Sequence, residues 1–281
     1  MREKLYRIEK RVMLNAEEIR LRAGSGLSVL SAGREIAVDV GKISSGELAD
    51  VICAASGASI HTVAANIREG FVTAENGHRI GICGTAAVKN GEICGINNYS
   101  SLSVRIAKEI KTAAEGLPEL INSSGQIASL LIISPPGGGK TTLLRDLVRR
   151  LSDNGTRVAL ADERGEIAAM KSGVPTMDVG KCTDVMDMAP RAEAAMFLLR
   201  AMTPQIIAMD EISSEHELAA ARSVAGCGIA ILATAHGSAE DLKTKKRYSR
   251  LIEDGVFDNI VMINGSGSER GWKFVRGSEL V

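Results

Sequence analysis

The sequence has few aromatic side chains: 3% of 281 residues, with one Trp, three Tyr and four Phe. Single-strand nucleic-acid platforms stack bases on aromatics, so that class is disfavoured, as are aromatic carbohydrate clefts. Net charge is also missing, with 34 Lys+Arg against 34 Asp+Glu. That argues against a protein that coats polyanions by bulk electrostatics, although local basic patches stay open. Cysteine is sparse and odd in number: Cys53, Cys83, Cys94, Cys182 and Cys227, with no Cys-x-x-Cys pair. A disulfide framework or zinc ribbon is disfavoured, and reduced thiols are expected. Long apolar runs are lacking too. Ile127–Ile133 and the Gly-interrupted Val224–Ala235 are well short of the roughly 20 residues of a membrane helix. Met1–Arg7 has no apolar core, so the reading is of no secretory signal, no transmembrane segment and a cytoplasmic chain. Six prolines against 29 glycines leave the turns mostly to glycine.

What is present is a globular composition, 45% hydrophobic and 24% charged. It can fill a core, which excludes disorder as the main state. The length fits two domains of ordinary size. Residues 1–112 read as a small α+β domain. Apolar Leu5, Ile8 and Val12 at helical spacing lead into alternation at Glu18–Arg22. Short β-like runs follow at Leu27–Leu30, Glu35–Val40, Gly70–Thr73, Arg79–Gly84, Glu92–Gly95 and Ser101–Ile106. A helix is expected at Ser45–Ala55, capped by Ser44 or Ser45, and hairpin turns at Asn76-Gly77 and Asn90-Gly91. Residues 113–126, punctuated by Gly116, Pro118 and Ser123-Ser124-Gly125, read as a linker. From 127 to 281 the texture changes. Apolar runs without alternation (Ala128–Ile133, Val158–Ala161, Ile206–Met209, Ile229–Ala233) alternate with helical segments. That is the pattern of a parallel sheet covered on both faces, an α/β domain.

The strongest motif follows the first of these runs: Ser134-Pro135-Pro136-Gly137-Gly138-Gly139-Lys140-Thr141-Thr142, then a helical pattern. Glycines let successive backbone N–H groups turn toward phosphate oxygens, and the helix N-terminus adds positive dipole. Pro136, Gly137, Gly138, Gly139, Lys140, Thr141 and Thr142 are therefore expected to bind ATP. Lys140 would reach the β- and γ-phosphates and Thr141 would hold Mg²⁺. Ser134 stands where the usual pattern has its first glycine. A second apolar run ends in Asp210-Glu211: Asp210 would support Mg²⁺ and Glu211 would polarise the attacking water. A third ends at His236, a sensor of the γ-phosphate or a structural histidine. A fourth ends Asp162-Glu163-Arg164. Its acids have two readings, near the metal or water, or as a cap with a surface ion pair. The basic run Lys243–Arg247 reads as a solvated helix face or a contact for an acidic partner. Asn264–Gly271 reads as a hairpin turn between Ile260–Ile263 and Lys273–Arg276.

These elements together resemble the additional-strand, catalytic-glutamate division of P-loop ATPases. Leu198–Ile212 and Ala233–His236 are similar to the Walker B region and histidine box of type II and type IV secretion ATPases, and Asp162-Glu163 stands at the place of their aspartate box. The likeness is closer still to the sporulation stage III AA family. Its carriers are Glu17–Ala23, Ile67–Gly84, Val104–Ala107, Ile133–Thr142, Ala161–Ala168, Pro190–Ile212 and Ile231–Gly237. The resemblance implies a RecA-like P-loop domain preceded by the smaller α+β domain, ATP and Mg²⁺ as cofactors, and a ring, a hexamer, as active form. It further implies membrane-embedded channel proteins of the sporulation apparatus as partners, on the mother-cell side. Where secretion ATPases carry Gly before the catalytic Glu, this chain has Asp210.

A ring ATPase needs a cation from a neighbour to stabilise the transition state. Arg79 and Arg105 in the first domain and Arg164, Arg191 and Arg200 in the second are available. The resemblance favours Arg105 and Arg79, and Arg105, at a strand end before the linker, is the one expected to act in catalysis. Three other functions remain to be separated from this one. A nucleic-acid motor of the same division would want a basic channel, which balanced charge does not supply. A GTP switch would want Asn-Lys-x-Asp, which does not occur. A scaffold with little hydrolysis would not need Glu211.

Overall fold

The computed structural model describes residues 4–5, 8, 10–31, 33–55, 70–107, 109–122, 125–238, 240–241, 246–265 and 271–279. The chain divides into two compact units, Met1–Lys108 and Glu109–Val281.

In the first unit a short helix, α1 (Lys10–Leu14), precedes the strands β1 (Ala16–Arg22), β2 (Leu27–Ser31) and β3 (Arg34–Val38). Helix α2 (Ser45–Ala55) follows, then β4 (Phe71–Thr73), β5 (Arg79–Lys89) and β6 (Glu92–Arg105). The six strands form one sheet in the order β3-β2-β1-β6-β5-β4, with every neighbouring pair antiparallel. Ile19, Leu21, Val29, Leu48, Ile52 and Leu102 share its core. The helix starts where expected because Ser44 and Glu47 close a capping box. Ser44 Oγ accepts the Glu47 N–H at 3.1 Å and Glu47 Oε2 accepts the Ser44 N–H at 2.9 Å. The two runs expected at Glu92–Gly95 and Ser101–Ile106 are one 14-residue strand. A bulge leaves Asn98, Tyr99 and Ser100 opposite Gly84 alone, where any Cβ would stand 2.6 Å from the Asn97 carbonyl oxygen.

The second unit opens with α3 (Leu117–Ile121) and β7 (Leu130–Ser134), and continues with α4 (Lys140–Asp153) and β8 (Val158–Asp162). A small hairpin, β9 (Met170–Lys171) and β10 (Val174–Pro175), leads to β11 (Thr183–Asp187), α5 (Arg191–Ala201) and β12 (Ile206–Met209). Then come α6 (Glu215–Gly226), β13 (Ala230–His236), α7 (Lys246–Glu253), β14 (Asn259–Asn264) and β15 (Gly271–Arg276). Seven strands form a sheet in the order β11-β8-β12-β13-β7-β14-β15. All pairs are parallel except β14–β15. Alternate residues of the apolar strands face opposite ways. Leu131, Ile133, Ala159, Ile207 and Ala233 join one core with residues of α5, α6 and α7. Leu130, Ile132, Leu160, Ala208 and Leu232 join the other with α3 and α4. Burial on both faces is why these strands read as uninterrupted apolar runs.

One expectation changes here. Ala114, Leu117 and Ile121, inside the stretch expected to be a linker, are fully buried in the core of the second unit. Their i, i+3, i+7 spacing outweighs the loop-like punctuation of Gly116 and Pro118. Strand β11 was not anticipated, because its sequence TDVMD is half polar and lies at the sheet edge. The basic run Lys243–Arg247 lies outside the described side chains, and so does most of the turn between β14 and β15.

Candidate nucleotide site

The loop from Pro135 to Gly139 joins the end of β7 to the start of α4. Gly138 N–H closes a turn onto the Pro135 carbonyl at 3.1 Å. Gly137 and Gly139 adopt φ of +70° and +94°, a region costly for residues with a Cβ. Gly138 has a steric reason as well: a Cβ there would sit 2.2 Å from Ser134 Oγ. Ser134 itself is buried at the strand end without a positive φ, so the missing first glycine is tolerated. Lys140 is only 7% exposed. Its Nζ donates to the carbonyl oxygens of Ser134 at 3.0 Å and Pro135 at 3.2 Å, and lies 3.0 Å from His236 Nδ1. Burial lowers its pKa, against the opposing pull of Asp210 and Glu211.

Two acids stand just past the end of β12. Thr141 Oγ1 donates to Asp210 Oδ2 at 3.2 Å, tying the first turn of α4 to this strand end. Thr234 Oγ1, fully buried in β13, donates to Asp210 Oδ1 at 2.7 Å and accepts the Glu211 N–H at 2.8 Å. Glu211 has φ +46°, and its carbonyl accepts from Arg191 Nη1 at 2.6 Å. Its carboxylate is held at both oxygens: Arg164 Nη1 lies 2.9 Å from Oε2 and His236 Nε2 lies 3.0 Å from Oε1. Lys140, Thr141, Asp210, Glu211 and His236 thus converge at the carboxyl ends of neighbouring parallel strands, where open α/β sheets bind ligands.

The second pair of acids is used differently. Asp162 is 1% exposed, and its two oxygens accept backbone N–H bonds from Glu166 (3.0 Å), Ile167 (3.1 Å) and Ala168 (2.8 Å). Burial pushes its carboxyl up to about 6, outweighing those donors, and Asp210 adds to the rise. Buried Arg145 fixes the same loop by donating to the carbonyls of Ile167 at 2.7 Å and of Glu166. Glu163 pairs with Arg191 Nη2 at 2.7 Å. The expectation that Asp162 and Glu163 join a metal site is therefore corrected: one folds a loop and the other anchors an arginine. Arg164, read as one half of a surface ion pair, reaches Glu211 from across the sheet. Arg191 is 7% exposed and also meets Glu217 at 2.9 Å, so it is committed within its own unit. Arg105, at the end of β6, is 69% exposed with Glu18 Oε2 at 3.8 Å. Arg79 lies over the Phe71 ring, 3.7 Å from its centre.

Thr141 and Asp210 form a hard-oxygen pair, the donor chemistry Mg²⁺ prefers alongside phosphate and water. Among the described residues no three His, Cys, Asp or Glu could hold a metal by themselves. The pair therefore fits an ion shared with a phosphate. Two clefts flank the loop. One of about 380 Å³ is lined by Pro135, Gly137, Gly237 and Met262. The other, of about 360 Å³, is lined by Gly139, Thr142, Ile110, Thr112, Ala113 and Trp272. Its outer wall is fixed. Trp272 Nε1 donates to the Ala113 carbonyl at 3.0 Å, and Asp146 accepts the Ala114 N–H at 2.9 Å. Thr234, Arg145 and Asp146 had not been singled out. Thr234 lies one turn of the strand pleat before His236, and that spacing was the available signal. No described helix is long and apolar enough to cross a membrane, and none of the five cysteines is in a disulfide.

The fold matches solved structures at low sequence identity. The pilus retraction motor PilT, solved with bound ADP, superposes with a TM-score of 0.66 and 15% identity, over 96% of this chain and 81% of that one. The ATPase DotB of Legionella pneumophila gives 0.62 and 18%, over 94% and 78%. The second unit accordingly has the RecA-like P-loop fold. Stage III sporulation protein AA of Bacillus subtilis is 32% identical over 273 residues, covering 94% of this chain and 87% of that protein. The family model described as sporulation stage III, protein AA matches residues 2–277. The chain therefore belongs to the sporulation stage III protein AA family.

Proposed function

We propose that this protein is a Mg²⁺-dependent ATPase that powers or assembles a secretion-like channel complex during endospore formation. The observation that carries the reading is the convergence of Lys140, Thr141, Asp210 and Glu211 at one strand-end cluster, with Thr141 Oγ1 on Asp210 at 3.2 Å. Backbone N–H groups of Gly137–Gly139 and the α4 N-terminus cradle the phosphates, and Lys140 leaves its loop carbonyls to bind the β- and γ-phosphates. Thr142 follows the phosphate loop and leads into the cleft beside Trp272, which has room for the nucleoside end. Thr141 and Asp210 would hold Mg²⁺, which would supply charge neutralisation for the developing phosphate. Glu211 orients and polarises the attacking water, and His236 reads whether the γ-phosphate is present. The low identity to PilT and DotB supports this through the fold, and family membership supports the sporulation setting.

The active form in this reading is a ring, a hexamer, in which exposed Arg105 of one copy serves the nucleotide of a neighbour. Work is delivered to membrane-embedded proteins from the mother-cell side. Phosphate release from ATP with and without Mg²⁺ tests the core of the proposal, comparing the natural chain with Glu211→Gln. The substitution abolishes turnover while fluorescent-nucleotide binding persists. Turnover that is equal in both would remove Glu211 from the chemistry. Sedimentation with a slowly hydrolysed ATP analogue tests the ring.

A further inference from the structure

Glu211 is the group that must polarise water, and each of its carboxylate oxygens already has a partner. Its Oε2 is 2.9 Å from Arg164 Nη1, and its Oε1 is 3.0 Å from His236 Nε2. The backbone beneath it is fixed by Thr234 at the N–H and Arg191 at the carbonyl. The side chain is thus the mobile part. Arg164 comes from a different place in the fold, the loop after β8, separated from Glu211 by 47 positions. That loop is rigid at its base, because Asp162 binds three of its backbone N–H groups and Arg145 binds two of its carbonyls. Next to Arg164, Glu163 is pinned to Arg191. The Arg164 guanidinium is 42% exposed, so an outside group can reach it.

We infer that Arg164 is a restraining residue that keeps Glu211 from its water until the pair is opened. This rests on the ATPase reading above. A carboxylate ion-paired to a guanidinium at one oxygen and bonded to an imidazole at the other is fixed in orientation and made a weaker acceptor for an incoming water, so hydrolysis speeds when one contact opens. The His236 contact opens from the phosphate side, since Lys140 and Glu211 sit on the two ring nitrogens of the same imidazole. The Arg164 contact opens from the surface side. The arrangement makes turnover depend on two inputs, the nucleotide and whatever engages the loop after β8. Arg164 touches no reacting atom in this scheme, so it positions rather than catalyses.

The test is steady-state ATP turnover of the full chain as natural protein, Arg164→Gln, Arg164→Lys, Glu211→Gln and the Arg164→Gln/Glu211→Gln pair. Fluorescent-nucleotide affinity is measured for each. A partly exposed guanidinium–carboxylate pair has modest worth, so Arg164→Gln raises kcat about two- to fivefold with KM and nucleotide affinity unchanged. Arg164→Lys, which keeps the cation, stays near the natural rate. The double variant is as inactive as Glu211→Gln, because the gain runs through that carboxylate. An unchanged or lowered kcat in Arg164→Gln, alongside loss of turnover in Glu211→Gln, overturns the restraint and leaves the ATPase reading standing. Full turnover in Glu211→Gln overturns both.

Discussion

Lys140 Nζ and His236 Nδ1 lie 3.0 Å apart although 96 positions separate them. Register brings them together. β7 and β13 are parallel neighbours in which Ser134 is paired with His236, and Lys140 folds back over the loop that starts at Ser134. The ammonium donates to Nδ1, so the imidazole carries its hydrogen on Nε2 and donates it to Glu211. One ring joins the group that grips phosphate to the group that polarises water. A phosphate that draws Lys140 forward removes the donor at Nδ1 and changes what His236 offers to Glu211.

The loop's tightest demand falls on Gly138. Its missing Cβ would stand 2.2 Å from Ser134 Oγ, 2.8 Å from Ser134 Cβ and 3.0 Å from the Pro135 carbonyl oxygen. Gly138→Ala therefore costs about 1–3 kcal/mol of stability, the usual scale of overpacking, and weakens ATP binding by about tenfold or more as the cradle shifts. Two of the three obstructing atoms belong to the Ser134 side chain. Adding Ser134→Gly to the variant recovers much of both losses, as urea unfolding and nucleotide titration would show. A double variant no better than Gly138→Ala would place the obstruction elsewhere.

Asp162 gives the fold a pH signature. Its carboxyl is raised from 3.8 to about 6, so between those values the folded chain binds a proton that the unfolded chain has lost. This contribution is fully present below 3.8 and disappears as pH rises through about 6. A rise of about two units corresponds to about 3 kcal/mol. Asp162→Ala lacks the slope. The stability advantage of the natural chain over this variant, taken from denaturant curves, therefore shrinks by about 2 kcal/mol between pH 4 and pH 7. An advantage that stays constant over that range would mean Asp162 does not titrate there.

What the sequence made legible were features that one strand or one loop dictates alone. β7, β8, β12 and β13 announce themselves as apolar runs because both faces are covered, and the acids after them are visible as Asp162-Glu163 and Asp210-Glu211. Nothing in the linear order separates the two acidic pairs. Asp162 is claimed by N–H groups four to six residues ahead in an irregular loop, whereas Asp210 faces Thr141 from helix α4 and Thr234 from strand β13. The Arg164–Glu211 contact depends on β8 and β12 being adjacent in the sheet. The continuity of β6 likewise depends on Gly84 across the ladder. These are properties of pairing between strands, which no local pattern encodes.

Thr234 is where such pairing bears most directly on the chemistry. Its hydroxyl holds both acids at once, accepting the Glu211 N–H at 2.8 Å and donating to Asp210 at 2.7 Å, with no exposed surface of its own. Thr234→Val keeps the shape and removes both bonds, leaving a buried N–H and a carboxylate oxygen short of a partner. That costs about 1–3 kcal/mol in unfolding free energy. Because Glu211 sits at φ +46°, loss of its N–H anchor also lets the residue relax out of a strained conformation and away from the water position. Turnover therefore falls more than nucleotide affinity, which depends on Lys140 and the glycine loop. Comparing kcat with the dissociation constant of an ATP analogue separates the two effects. A fall in affinity at unchanged kcat would mean that Thr234 supports the phosphate cradle instead.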